Sequence, residues 1–392
     1  MGRRLAFNMT LFLAGVFGIA AAAAPTWVGA CGLFAALGTG VGGNLPVDGA
    51  LFLEFIPNTS GALLTLLSAW WPVGQLVASL IGWAFLGGKY STHDGWRYFV
   101  YTMGAMTFCM FLSRFLLFHL YESPKFLLSR GRQAEAVAVV HGIAYKNRKT
   151  TWLTEEILNE IGGDPVKVDH TLTTSEIVKR KFASFSTERI GPLFDNKKLG
   201  WTTVLLWFCW ATIGMGYPLF NAFLPQYLSR GTNGSGETVS TYTTYRNYAI
   251  TSVVGVPGSL LACYTVDLKY VGRKGTMAVA TLLSGIFLFL FTLSSKSDFQ
   301  LAFSSIEAFF QNIMYGVLYA YTPEVFPAPN RGTGTGISSF LNRIAGLCAP
   351  IIAANIPNAN PNAPIYVSGA LILAAFVAMV CLPIETRGKQ RL

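Results

Sequence analysis

The chain has 392 residues, 52% of them hydrophobic and only 12% charged, with 29 Lys and Arg against 19 Asp and Glu for a net charge of +10. An ordinary soluble domain is about 25% charged, and nearly half of the charges here are gathered in residues 121–199, which hold 13 basic and 10 acidic residues. Too few charges remain to cover a water-facing surface, which excludes a cytosolic enzyme and points to a polytopic membrane protein.

Ten windows are apolar over roughly the 20 residues that a bilayer-crossing helix needs. In chain order they are 5–24, 27–53, 61–86, 97–119, 200–222, 245–265, 275–294, 300–321, 333–355 and 364–383. Backbone polar groups in lipid must be satisfied within the segment, so each window predicts a helix. Glycines at 38, 40, 42 and 43, and again at 332, 334 and 336, have the spacing that lets helix backbones approach closely. The expected fold is an all-α polytopic bundle of about ten transmembrane helices. Four belong to an N-terminal bundle (1–120) and six to a C-terminal bundle (200–392). Between them, 121–199 forms a central loop. Its first part, from Pro124 to His141, carries apolar residues at helical spacing and predicts short amphipathic helices beneath the bundle. The later stretch around Lys179-Arg180-Lys181 reads as a solvated linker, with anionic lipid as an alternative contact.

The N-terminus has a rival reading. Met1-Gly2-Arg3-Arg4, an apolar run and Ala20–Ala24 resemble a secretory leader, but the run is longer than the usual leader core and is read as a span. Ala6 disfavours myristoylation. With the N-terminus cytoplasmic, the inward segments hold 22 Lys and Arg and the outward segments 5. Both termini inside is therefore the expected orientation. It places Asn233-Gly-Ser235 outside as a glycosylation acceptor and Asn58-Thr-Ser60 inside.

Several chemistries lack a basis. The six cysteines lie in apolar runs without a CxxC pair, and the four histidines (93, 119, 141, 170) fall in polar segments or at a span end. No metal site or cofactor is expected. No nucleophile–base pair lies within a span, so the chain is not read as an enzyme, and no G-x-x-x-x-G-K-[ST] run supports ATP-driven pumping. The basic excess matches a positive-inside bias rather than nucleic-acid binding.

Two halves of the chain answer each other. Gly2-Arg3-Arg4 precedes the first span and Asp267-Leu-Lys-Tyr-Val-Gly272-Arg273-Lys274 the seventh; Glu54-Phe-Ile-Pro57 follows the second and Pro323-Glu324…Arg331-Gly332 the eighth. Tyr121-Glu122-Ser123-Pro124-Lys125 follows the fourth span and Pro383-Ile-Glu385-Thr386-Arg-Gly388 the tenth. This set resembles the major facilitator superfamily in its sugar-porter-like branch. The run Gly40-Val-Gly-Gly-Asn44-Leu-Pro46-Val-Asp48 is similar to fungal general-substrate transporters of the synaptic-vesicle-protein-like group. The resemblance implies twelve spans in two halves, so the two helices ahead of Gly2 are missing here, through a clipped gene model or a real truncation. It also implies that Arg3, Arg4, Glu54, Glu122, Asp267, Arg273, Glu324, Arg331 and Glu385 form inter-helix ion pairs of a cytoplasmic gate. Two departures bear on this. Asn58-Thr59-Ser60 stands where an Arg-Gly is expected after Glu54, and Ala35 where many relatives carry an Arg.

The implied function is secondary active transport of a small organic solute (sugar, organic acid or secondary metabolite), coupled to protons, by alternating access. The alternative is an inactive or sensor-like homologue without flux. Ionisable groups within spans are costly and mark function. Asp48 and Glu307 are the proton-coupling candidates. Gln75, Tyr217, Asn221, Asn247, Asn312, Tyr315, Asn342 and Arg343 are the substrate-path candidates, with Tyr319 beside them. Arg114 and Arg343 have stems long enough to snorkel toward the interface. The expected partners are a small-molecule substrate, protons and the lipid bilayer. The expected state is a monomer in the plasma membrane, with the vacuolar membrane as runner-up.

Overall fold

A computed structural model describes residues 3–55, 62–87, 94–117, 121–128, 132–162, 190–230, 239–268, 271–327, 330–355 and 362–386. Every predicted window is helical, and among the described residues there is no strand. The apolar helices are α1 (Arg3–Ala22), α2 (Trp27–Phe55), α3 (Ala62–Leu67), α4 (Trp70–Leu86) and α5 (Gly95–Leu117). After the central loop come α9 (Lys197–Asn221), α10 (Leu224–Ser229), α11 (Thr241–Thr265), α12 (Gly272–Phe291), α13 (Ser297–Val325), α14 (Arg331–Asn355) and α15 (Ala363–Val380). The loop itself forms α6 (Pro124–Leu128), α7 (Gln133–Lys146) and α8 (Glu155–Gly162), the short helices expected there. The Lys179–Lys181 stretch and both glycosylation sequons lie outside the described residues.

Local chemistry sets several boundaries. Asn196 caps α9 by accepting from the Lys198 amide at 3.0 Å, and Ser240 caps α11 by accepting from the Thr243 amide at 3.2 Å. The window 61–86 is broken at Ser68, whose hydroxyl donates to the Thr65 carbonyl at 2.6 Å and so competes with the helix ladder. Among the described residues, seven helical stretches are long and apolar enough to cross a membrane. Helix α13 falls short because Ser304, Ser305, Glu307, Gln311 and Asn312 interrupt its apolar sequence. Large apolar side chains are exposed along these helices, among them Trp201, Phe208, Leu260 and Val377. Such a surface suits lipid and would be a liability in water.

The chain divides into two compact units, one of residues 1–57 and 100–186, the other of residues 58–99 and 187–392. In the first unit α1 packs along α2, and α1 also crosses α5, where Gly104 meets Gly18 and Ile19. In the second unit α9 packs on α14 and α15, α12 packs on α13 and α15, and α11 packs on α4 and α13.

Only some of the glycines serve close approach. Gly40 lies on the backbone of α1 near Thr10 and Ala14, and Gly334 lies against the Phe326 ring. Gly38, Gly42, Gly332 and Gly336 have nothing within 4 Å of where a Cβ would stand, so spacing alone overstates their role. A Cβ at Gly104 would come within 2.6 Å of the Ile19 nitrogen and 2.8 Å of the Gly18 carbonyl carbon. We therefore expect Gly104→Ala to force α1 and α5 apart and to cost about 1–3 kcal/mol. Gly38→Ala should be neutral or slightly stabilising. Thermal unfolding of the two purified variants in detergent checks the contrast.

Candidate functional site

The second unit carries a row of polar and aromatic side chains inside otherwise apolar helices. Helix α13 supplies its spine. Tyr315 of α13 is edged by Trp71 of α4 at 4.9 Å between ring centroids and by Trp210 of α9 at 5.7 Å, with Tyr217 of α9 at 6.3 Å. Trp71 also meets Tyr319 at 5.0 Å. Gln75 of α4 donates to the Tyr248 hydroxyl of α11 at 3.3 Å, and Tyr217 lies within electrostatic reach of both Tyr248 and Tyr315. Tyr217 and Tyr315 are half-buried, and their hydroxyls make no hydrogen bond among the described residues.

The amides divide by role. Asn221 is buried and donates to Gln311 of α13 at 3.0 Å. Asn342 of α14 donates to the Trp210 carbonyl at 3.1 Å, while the Trp210 indole donates to Thr322 at 2.9 Å. Asn247 is buried and donates to Ser297 at 3.2 Å. Asn312 donates within its own helix to the Ala308 carbonyl at 2.8 Å. Asn221, Asn247 and Asn342 tie helices together, and Gln75 with the tyrosines forms the part with groups left to engage. Gln311, Tyr248, Trp71 and Trp210 belong to the same constellation, although the sequence analysis did not single them out. Their one sequence signal is position: Gln311 follows Glu307 by four residues and so shares its helix face.

Two ionisable groups stand at membrane depth in this unit. Arg343 is the central residue of the 25-residue helix α14, about 18 Å from either end at 1.5 Å per residue. Snorkelling, expected from the length of its stem, does not reach an interface from there. Arg343 is exposed, has no carboxylate within ion-pair distance among the described residues, and acts electrostatically on Tyr315. Glu307 of α13 is 1% exposed. Ser284 of α12 donates to its Oε1 at 3.2 Å, and its Oε2 is buried without a partner.

In the first unit Asp48 of α2 closes a chain of contacts. Thr10 of α1 donates to Asn44 Oδ1 at 3.0 Å, and Asn44 Nδ2 donates to Asp48 Oδ2 at 2.6 Å, one helical turn away. Asp48 Oδ1 is buried without a hydrogen bond, and Arg114 of α5 lies within electrostatic reach of the carboxylate. The Arg114 guanidinium stacks on Phe7 at 3.0 Å from the ring centroid, a cation–π contact.

The expected gate residues of the second unit gather at one end of α12. Arg273 forms a buried ion pair with Glu324 of α13, and Asp267 lies within electrostatic reach of Arg273. Glu385 lies within electrostatic reach of Arg273 and also meets the helix backbone. Its carboxylate accepts from the backbone amides of Arg273 at 3.3 Å and Lys274 at 3.1 Å, and so caps α12. Lys274 in turn donates to the Leu382 carbonyl. Gly272 has φ +58°, and a Cβ there would stand 3.0 Å from Glu385 Oε2, so the motif needs glycine on both counts. The Arg331 Nε is buried without a partner, and Glu122 accepts from the Ser123 amide at 3.2 Å. The side chains of Arg3, Arg4 and Glu54 lie outside the described residues. We expect Glu385→Ala to destabilise the protein by about 1–2 kcal/mol through loss of the cap, and Glu385→Gln to cost less because its amide oxygen still accepts. Denaturation midpoints of the two variants in one detergent check this order.

The Sugar (and other) transporter family matches residues 1–182, and the Major Facilitator Superfamily matches residues 206–392. The chain is 44% identical to MFS siderochrome iron transporter 1 of Ceriporiopsis subvermispora over 100% of this chain and 77% of that protein. It is 38% identical to a major facilitator-type transporter of Emericella nidulans, over 99% of this chain and 73% of that one. Among solved structures, the proton:xylose symporter XylE bound to 6-bromo-6-deoxy-D-glucose matches at a TM-score of 0.71 and 19% identity, over 99% of this chain and 82% of that chain, a likeness of fold. With its apolar helices and these two half-chain matches, this is an integral multi-pass membrane protein, and the chain belongs to the major facilitator superfamily.

Proposed function

We propose that the chain is a secondary active transporter that moves a small organic solute (a sugar, organic acid or secondary metabolite) by alternating access, with protons as the coupling ion. The observation that carries the reading is the Gln75–Tyr248, Tyr217 and Tyr315 constellation at membrane depth, where two hydroxyls have no hydrogen-bond partner among the described residues. A polar group held in an apolar span without a structural bond is costly unless a solute or water engages it. The relatives support the class, since those named above are transporters.

Glu307 and Asp48 are the proton carriers in this reading. Each is a carboxyl group at membrane depth with one oxygen that has no hydrogen-bond partner. Taking up a proton removes the net charge and turns that oxygen side into a donor. In the proposed layout the motif-bearing helix ends face the cytoplasm with both termini inside, the bundles 1–120 and 200–392 flank the 121–199 loop, and the protein works as a monomer in the plasma membrane. The Arg273–Glu324 pair closes the cytoplasmic ends of α12 and α13 and opens during the cycle, as bistable ion pairs do in switching proteins.

The test is solute-evoked proton movement in proteoliposomes loaded with the pH dye pyranine. Hexoses, pentoses and aromatic or aliphatic acids are added outside, with protein-free liposomes subtracted for passive acid entry. A transported solute should acidify the lumen, and Glu307→Gln should reduce the rate about tenfold or more. Absence of protein-dependent proton or solute flux across the whole panel would reject the transporter reading. Flux that is unchanged in Glu307→Gln and in Asp48→Asn would reject the coupling assignment and leave the transporter class standing.

A further inference from the structure

From Arg343 and its surroundings we infer the charge class of the solute: the second unit binds a small organic monoanion with a planar, apolar body. This rests on the transporter reading for its purpose but not for its evidence, which is geometric.

Arg343 stands at the midpoint of α14, where an isolated cation facing hydrocarbon would be costly and where its side chain cannot reach an interface. It is nevertheless exposed and has no carboxylate partner among the described residues. Among the described residues of this unit, the carboxylate at membrane depth does not neutralise it: Glu307 accepts from Ser284 of α12 at 3.2 Å and forms no ion pair with Arg343. A guanidinium presents a planar fork of donors that matches a carboxylate. A positive charge without a carboxylate partner among the described residues is satisfied by one negative charge on the solute.

The groups next to it give the shape of the remainder. Tyr315, which Arg343 reaches electrostatically, is flanked by the rings of Trp71, Trp210 and Tyr217, and its hydroxyl is unengaged. Aromatic walls receive a flat apolar ring in edge or offset contact. The Tyr315 and Tyr217 hydroxyls and the Gln75 amide supply two phenols and one amide for polar substituents. A neutral polyol would leave the Arg343 charge uncompensated, and a cation would be repelled by it.

The experiment measures binding, so it does not depend on flux. The purified full chain in lipid nanodiscs is titrated with benzoate, with its neutral isostere benzamide and with D-glucose. Tryptophan emission is the readout, because Trp71 and Trp210 line the site. The expected result is saturable quenching by benzoate with an affinity at least tenfold above that for benzamide. Arg343→Ala should abolish that preference and Arg343→Lys should keep part of it. Tyr315→Phe should weaken benzoate severalfold. Gel filtration and unfolding midpoints establish that the variants are folded, and Arg343→Gln repeats the charge removal with a polar side chain of intermediate length. Equal affinities for benzoate and benzamide, no saturable response to benzoate, or a preference that survives in both Arg343→Ala and Arg343→Gln would each overturn the inference. A neutral solute carried at full rate by Arg343→Ala in proteoliposomes would overturn it while leaving the transporter reading intact. Charge-selective binding without any flux would uphold the inference and count against transport.

Discussion

A polar side chain at the depth of a bilayer has no water to bond, so the protein must provide its partner. Helix α13 carries more such groups than any neighbour, and the second unit is organised around supplying them. Gln311 receives Asn221 from α9, Glu307 receives Ser284 from α12, and Ser297 receives Asn247 from α11. Each bond fixes the rotation of a helix that has little other reason to choose one face, because its outer surface meets lipid tails as apolar as its own side chains. The low hydropathy of α13 is thus the source of the unit's specificity. Where the partners run out, at Tyr217, Tyr315 and Arg343, the same constraint turns from structure to recognition.

The end of α12 solves a different problem, that of a helix N-terminus with unpaired amides. Gly272 takes a left-handed conformation to start the helix, and Glu385 arrives from the far end of the chain to accept from the second and third amides. Arg273 is then free to project toward Glu324. The charged motif residues at this end include two linked devices. One is a cap made by a carboxylate on backbone, and the other is a buried pair between two helices. A buried pair contributes little net stability when intact yet is costly to break by removing one partner, which suits an element that must exist in two states.

The helical windows were legible because lipid enforces a length of about 20 apolar residues, and nearly all their boundaries fall within a few residues of the helices. The discrepancies have local causes that hydropathy does not register. Asn196 and Ser240 start their helices upstream of the apolar run, and Ser68 divides α3 from α4. The motif residues Asp267, Arg273 and Glu324 were legible as a group, whereas the capping role of Glu385 depends on a contact between distant segments. Arg343 was visible as a charge, but its meaning depended on its depth. The window 333–355 sets it near the middle, and the observed helix Arg331–Asn355 keeps it there. Trp71, Trp210 and Tyr248 were hidden among the aromatics, since an aromatic in a span serves interface, packing or ligand alike.

The cap on α12 also orders the making of the protein in time. The Arg273 amide and the Glu385 carboxylate are 112 residues apart, so at about 5–20 residues per second the acceptor is synthesised about 6–22 s after the donor. Throughout that interval the Glu385 carboxylate that closes α12 is not yet part of the chain. The closing contact comes from the segment just beyond the last span, which makes the final residues of the described chain the latch of an earlier helix. A nascent chain can complete this end of the bundle only after α15 and the segment that follows it have been made.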